Sequence, residues 1–118
     1  MVLRHSQERY GSYKLAKSAL LAMSQSLATE LGPQGIRVNS VAPPGYIWGP
    51  ILQGVLRAPA GKYGTTVEQI YEHTAAAADL RRLPTTEEIA DAVIFLASPM
   101  ASAVTGQCLD VNCGEFHH

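Results

Sequence analysis

Apolar residues at Ala16, Leu20, Met23, Leu27 and Leu31 recur at spacings of four, three, four and four. That period predicts a helix from about Glu8 to Leu31 (8–31), with a core-facing stripe along those positions. Ala19, Ala22 and Ser26 form a second face of small residues, where another helix can approach closely. Gly32 followed by Pro33 supplies the stop. Ser6 reads as a cap at the helix start, after a loop over residues 1–7. A branched run from Ile36 to Ala42 predicts a short strand (36–42), bounded by Pro33-Gln34-Gly35 and Pro43-Pro44-Gly45. Alternation sends Ile36, Val38, Ser40 and Ala42 to one face and Arg37, Asn39 and Val41 to the other.

Trp48 to Tyr63 mixes Gly, Pro and large apolar residues and has no clear period. Thr65-Thr66-Val67-Glu68 reads as a capping box opening a helix to about Leu80. A second box, Thr85-Thr86-Glu87-Glu88, opens a helix over 86–98, whose stripe is Ile89, Val93, Leu96 and Ala97. Small residues at 100–106 form a loop. A last strand over 107–112 is expected to run parallel to the first by a right-handed crossover, because a helix separates them.

The length, 118 residues, supports one domain with a modest core. Apolar residues make up 47% of it and the net charge is −1, so the chain is expected to be globular. It has no basic field for nucleic acid and no polybasic patch for a membrane. No apolar run approaches the roughly 20 residues that span a bilayer, and Met1-Val2-Leu3 leads straight into charged residues without a cleavable signal pattern. Two cysteines fit free thiols in a reducing compartment, so the expectation is cytoplasmic. Cys108, Cys113, His117 and His118 invite a metal reading. Their spacings match no standard zinc pattern, and no metal site is assigned.

The chemistry lies near the start. In a helix, Tyr13 and Lys17 are one turn apart on one face. A positive charge beside a phenol favours its ionised form and moves it towards the range where general acid/base catalysis works best. Tyr-x-x-x-Lys is a weak pattern alone. It occurs twice here, as Tyr10 to Lys14 and as Tyr13 to Lys17, and an isolated match reads as an exposed helix start with solvated lysines.

The text that follows Tyr13 adds specificity. Tyr13-x-x-x-Lys17-Ser18-Ala19-Leu20, Ala28-Thr29-Glu30-Leu31-Gly32, Ile36-Arg37-Val38-Asn39-Ser40-Val41-Ala42-Pro43 and Pro44-Gly45-Tyr46-Ile47 occur in that order. Glu88-Ile89-Ala90, Phe95-Leu96-Ala97-Ser98, Thr105-Gly106-Gln107 and Val111-Asn112-Cys113-Gly114 continue the series. Together they resemble the C-terminal half of a short-chain dehydrogenase/reductase, and the resemblance covers nearly all of the chain. It implies an α/β fold: the C-terminal part of a Rossmann-like, doubly wound parallel sheet, with a long active-site helix, two parallel strands and a helical substrate lid over 44–84, all in one partial domain (1–118).

It also implies an NAD- or NADP-dependent oxidoreductase acting on a small-molecule secondary alcohol or ketone. Tyr13 would be the general acid/base, and Lys17 would support the phenol and bond the nicotinamide ribose. The loop after the first strand would meet the cofactor through Pro44, Gly45 and Ile47, the Ile47 backbone facing the carboxamide. Without the resemblance, this segment reads as a plain strand-exit loop. Trp48, Leu52, Tyr63, Ile70 and Tyr71 read either as an apolar substrate pocket or as packing of the lid onto the body, and His73 as a solvent-facing helical residue. Full-length members of the family are expected to be homo-oligomers, partly through the long helix.

Three departures stand out. The family usually carries one proline before the glycine, and here Pro43 and Pro44 both precede it. An extra residue can displace the backbone by up to ~3.5 Å. Trp48 and Gly49 follow Ile47 where the family often has a cofactor-binding threonine. Finally, the family's glycine-rich turn, first strands and catalytic serine all precede its tyrosine, and only twelve residues precede Tyr13 here. That serine lies about a dozen positions before the tyrosine, so Ser6 is too near to be it. The chain therefore reads as the back half of a longer enzyme, expected to be inactive alone. The alternative is a non-catalytic fragment serving as an interaction or oligomerisation module.

Overall fold

A computed structural model describes residues 10–117. Ser6, the expected helix start at Glu8 and His118 lie outside the described residues. Six elements define the α/β fold: α1 (Gly11–Leu31), β1 (Ser40–Ala42), α2 (Pro50–Tyr63), α3 (Val67–Ala75), α4 (Thr86–Ala97) and β2 (Cys108–Asp110). β1 and β2 pair in parallel, with Ser40 opposite Cys108, Val41 opposite Leu109 and Ala42 opposite Asp110.

Both strands are shorter than their sequence patterns. Residues 36–39, expected within the first strand, are tied across largely by side chains. The Asn39 amide donates to the Val104 carbonyl at 2.8 Å and its oxygen accepts from the Gln107 N–H at 3.0 Å, while the Val38 N–H donates to Thr105 Oγ1. Asparagine can do this because it offers both a donor and an acceptor. The ladder itself starts only at Ser40.

The strand alternation sets the layers. Ser40 Oγ lies 3.1 Å from Ser24 Oγ on α1. Arg37, Asn39 and Val41 instead line a groove with Val93, Leu96 and Ala97 of α4 on the other face. On the α1 side, a Cβ added at Gly106 would lie 3.5 Å from the Ala28 methyl, and Gly106 has φ +71°. The φ, not the space, calls for glycine: a side chain at that φ would be strained, while a Cβ at 3.5 Å is an ordinary contact.

The buried line of α1 differs from the one its period predicts. Ala28 is buried and Leu21 and Ser24 are half-buried, whereas Ala16 and Ala19 are exposed, as are Leu20 and Met23. Of the expected stripe, Leu27 and Leu31 at the C-terminal end are half-buried, and Ala16, Leu20 and Met23 are left exposed. Leu21, Ser24 and Ala28 face the sheet instead, and the expected small-residue face of Ala19, Ala22 and Ser26 is exposed.

The lid region also departs from expectation. Pro50 to Tyr63, without a clear period, is helical: Pro50 stands at its first position, where the missing N–H costs nothing, and Gly64 ends it at φ 64°. α3 opens on a capping box formed by Thr66 and Gln69, one residue after the expected Thr65 to Glu68 pair, and ends at Ala75 rather than near Leu80. Beneath the lid lies a core of small side chains: Ala60, Ala75, Ala78, Leu83 and Pro84 are buried. α4 opens on the box between Thr85 and Glu88 and closes at Ala97.

The carbonyls at the end of α4 receive an arginine. Arg37 Nη1 donates to Leu96 O at 2.6 Å, and Nη2 lies 3.3 Å from Ser98 O. A cation there meets both the unpaired carbonyls and the negative end of the helix dipole. Arg37→Ala is expected to lower the unfolding free energy by about 2 kcal/mol, since hydrogen bonds to a charged group contribute roughly 1.5–3 kcal/mol. Urea denaturation measures this, and a change below about 0.5 kcal/mol, the usual range for surface substitutions, would show that the clamp is idle.

At the other end of α4, Arg82 pairs with Glu88 through two bonds of 2.7 Å. Those bonds, and then the Thr85 N–H, hold the Glu88 carboxyl down at about 2. A carboxyl depressed on folding stabilises the fold fully above its ordinary value near ~4.3, and loses that contribution as pH falls towards the folded value. Glu88→Gln should therefore flatten the loss of stability between roughly pH 4 and pH 2, read by thermal melts across that range. The pair is partly exposed, so added salt should shrink the difference.

Candidate active site

Helical geometry separates the two Tyr-x-x-x-Lys frames. Tyr10 sits at the N-cap with φ −102° and ψ 12°, outside the helix, and its carbonyl accepts the Lys14 N–H. Tyr13 and Lys17 both lie within α1. The Lys17 ammonium stands over the Tyr13 ring, 5.4 Å from its centroid, a cation–π arrangement. The Tyr10 ring meets the Tyr13 ring edge-on at 5.9 Å and 88°. Tyr13 is 48% exposed, so the phenol is open to solvent on one side.

Tyr13 and Lys17 line a cleft of about 630 Å3 between α1 and the end of β1. Its other walls are Tyr10, Leu20 and Leu21 on the α1 side, Ser40 to Ala42, the run Pro43-Pro44-Gly45, and Cys108. Of the residues singled out by sequence, Tyr13, Lys17, Pro44 and Gly45 therefore share one cleft. Ile47 is half-buried and is not among its lining residues.

Trp48 turns the other way. Its N–H donates to the Pro84 carbonyl at 2.8 Å, and its ring meets Tyr71 edge-on at 4.4 Å. Neither ring lines the cleft, so this pair packs the lid onto the segment before α4. The Tyr63 side chain lies outside the described residues. His73 is exposed in the last turn of α3.

The chain's pattern carries no signal for two further members of the site. Cys108 reaches the cleft because the register sets it beside Ser40, and register is a tertiary property. Glu115 accepts from the Gly45 N–H at 3.4 Å across 70 positions of sequence. Cys113 lies away from the cleft, in the groove that holds Asp79, Arg82 and His117.

A family model described as enoyl-(acyl carrier protein) reductase matches residues 1–115. A short-chain dehydrogenase family protein from Francisella tularensis superposes with a TM-score of 0.83 at 27% identity, covering 97% of this chain and 47% of that one. The chain belongs to the short-chain dehydrogenase/reductase family. Among curated members, it is 44% identical over 105 residues to the peroxisomal 2,4-dienoyl-CoA reductase of Pongo abelii, covering 86% of this chain and 32% of that protein. It is 37% identical over 105 residues to the 3-oxoacyl-[acyl-carrier-protein] reductase of Buchnera aphidicola, covering 89% and 38%. The chain spans about two fifths of the length of the curated relatives it matches, 38% or 39% in the first three. Its fold is thus part of the Rossmann-like fold of short-chain dehydrogenase/reductases.

The donor set in the cleft suits one end of a dinucleotide. An ammonium and a phenol can bond ribose hydroxyls, and Gly45 brings backbone to the wall with no Cβ in the way. A pyrophosphate needs a glycine-rich turn opening a helix, and this sequence carries no Gly-x-Gly-x-x-Gly. The described residues therefore offer groups that suit a ribose, and none of the glycine-rich kind that holds a pyrophosphate.

Proposed function

We propose that the chain carries the proton-transfer part of an NAD- or NADP-dependent oxidoreductase site that acts on a secondary alcohol or ketone. The supporting observation is that Tyr13 and Lys17, one helical turn apart, line the same cleft as Pro44 and Gly45 at the carboxyl end of β1. Crevices beyond the carboxyl ends of parallel strands are where open α/β sheets take their ligands.

A bound dinucleotide supplies or accepts the hydride. During reduction, Tyr13 Oη gives its proton to the carbonyl oxygen as the carbon receives hydride, and during oxidation it takes the alcohol proton. Lys17, over the ring, stabilises the negative charge that develops on the phenol and reaches the ribose hydroxyls. The apolar wall of Leu20, Leu21 and Ala42 favours a substrate with hydrocarbon next to the reacting carbon.

A second reading, an interaction or oligomerisation module without turnover of its own, is favoured by the surface. The accessible area is 8033 Å2, against about 6200 Å2 for a compact monomer of this mass. Nicotinamide-fluorescence titration of the chain distinguishes the two readings. Saturable binding of NADH or NADPH supports the oxidoreductase, and no binding leaves the module. Where turnover is measured, Tyr13→Phe should lower kcat by roughly a hundred- to ten-thousandfold, the usual weight of a general acid/base, while Tyr10→Phe keeps activity within a few fold. Equal losses in both variants would remove Tyr13 from its role.

A further inference from the structure

The loop that leaves β1 is short of ways to hold itself. Pro43 and Pro44 carry no N–H, so the first backbone donor after Ala42 is that of Gly45. Parallel pairing ends just there: the Val111 N–H donates to the Ala42 carbonyl at 3.1 Å, the last rung between the two segments. Beyond it, among the described residues, the Gly45 N–H donates to the Glu115 carboxylate at 3.4 Å.

The tail that carries Glu115 is built to aim it. Asn112 Oδ1 accepts from the Gly114 N–H at 2.9 Å, the Asn112 amide donates to the Phe116 carbonyl at 3.0 Å, and the Glu115 N–H donates to the Asn112 carbonyl at 3.0 Å. One asparagine side chain thereby closes the turn on both sides of Glu115. The turn is fixed from outside as well. The Leu80 N–H donates to the Cys113 carbonyl at 3.1 Å, and His117 Nε2 lies 2.8 Å from Asp79 Oδ2. At Gly114, with φ +81°, an added Cβ would come within 2.7 Å of Asp79, so the tail lies flush against that segment.

We infer that Glu115 is a positioning residue that pins Gly45, and with it the Pro43–Gly45 wall of the cleft, from the far end of the chain. The inference rests on the proposed function for what the wall meets, and on hydrogen bonds alone for the pin. It also addresses the departure at Pro43-Pro44. The added proline removes a donor and lengthens the loop, and the carboxylate, acting through its bond to Gly45, fixes where that longer loop lies.

Two measurements on the chain test it. By amide hydrogen exchange in NMR, Gly45 should exchange roughly three- to tenfold faster in Glu115→Ala, the weight of one hydrogen bond. The Val111 amide, bonded one rung earlier, should keep its protection. Glu115→Gln, which keeps an acceptor oxygen, should restore most of the Gly45 protection. Unchanged Gly45 exchange in Glu115→Ala, or equal acceleration at Val111, overturns the pin. By fluorescence titration with NADH and NADPH, Glu115→Ala should weaken binding by a similar three- to tenfold, with recovery in Glu115→Gln. Unchanged affinity alongside faster Gly45 exchange overturns the positioning role towards the cofactor. Absence of binding in the parent chain counts against the proposed function, and the exchange result then decides the pin by itself.

Discussion

Two strands of three residues, brought together in parallel across some 68 positions of sequence, hold everything else in place. A ladder that short is marginal in water, and closing so long a loop adds an entropy cost, although that cost grows only slowly with length. Side chains carry much of the pairing. Asn39 bonds both sides of the turn before β2, and Arg37 ties the approach to β1 to the end of α4. With the strands fixed, Ser24 and Ala28 give α1 its seat, and that seat sets where Tyr13 and Lys17 stand relative to the loop after β1. A change in register would move Ser40 off Ser24 and take the cleft apart.

Much of this was legible because local chemistry and tertiary outcome agree. Thr85 and Glu88 form a box wherever a helix starts there, and the helical stretch between the strands is long enough for the crossover that parallel pairing needs. Tyr13 and Lys17 meet through backbone pitch alone. The misses have a common physical origin, since each depended on a partner remote in sequence. The period of α1 marked Leu20 and Met23 as a face to be buried, yet the helix is seated through Ser24, against Ser40, and through the buried Ala28. α2 forms from a run holding two prolines and two glycines. Its first proline suits the helix start, and its small Ala60 fits the core with Ala75 and Ala78, neither of which shows as a period. Cys108 reaches the cleft, and Glu115 reaches the Gly45 N–H, through a register and a turn that no local pattern encodes.

The shape of the chain bears on its chemistry. A radius of gyration of 16.7 Å and extents of 57 × 31 × 23 Å exceed the ~13.5 Å radius expected of a compact domain this long. The excess surface includes apolar side chains on both outer layers. On α1 these are Leu15, Leu20 and Met23, and on α4 they are Val93, Ile94 and Phe95. Leu20 and Val93 stand at the edges of the grooves beside the sheet, and the others extend the apolar surface beyond them.

The same exposure limits the proposed proton chemistry. Attraction between an ammonium and a negative oxygen ~4 Å away is about 1 kcal/mol in water and several times larger where water is kept out. With Tyr13 about half exposed, water screens the interaction between these two side chains. Covering the outer face of α1 and filling the cleft would both lower the local dielectric around that pair. Burial of the leucine and methionine stripe and strengthening of the tyrosine–lysine pair are therefore one event seen from two sides, since whatever excludes water from Leu20 also excludes it from the cleft that Leu20 lines.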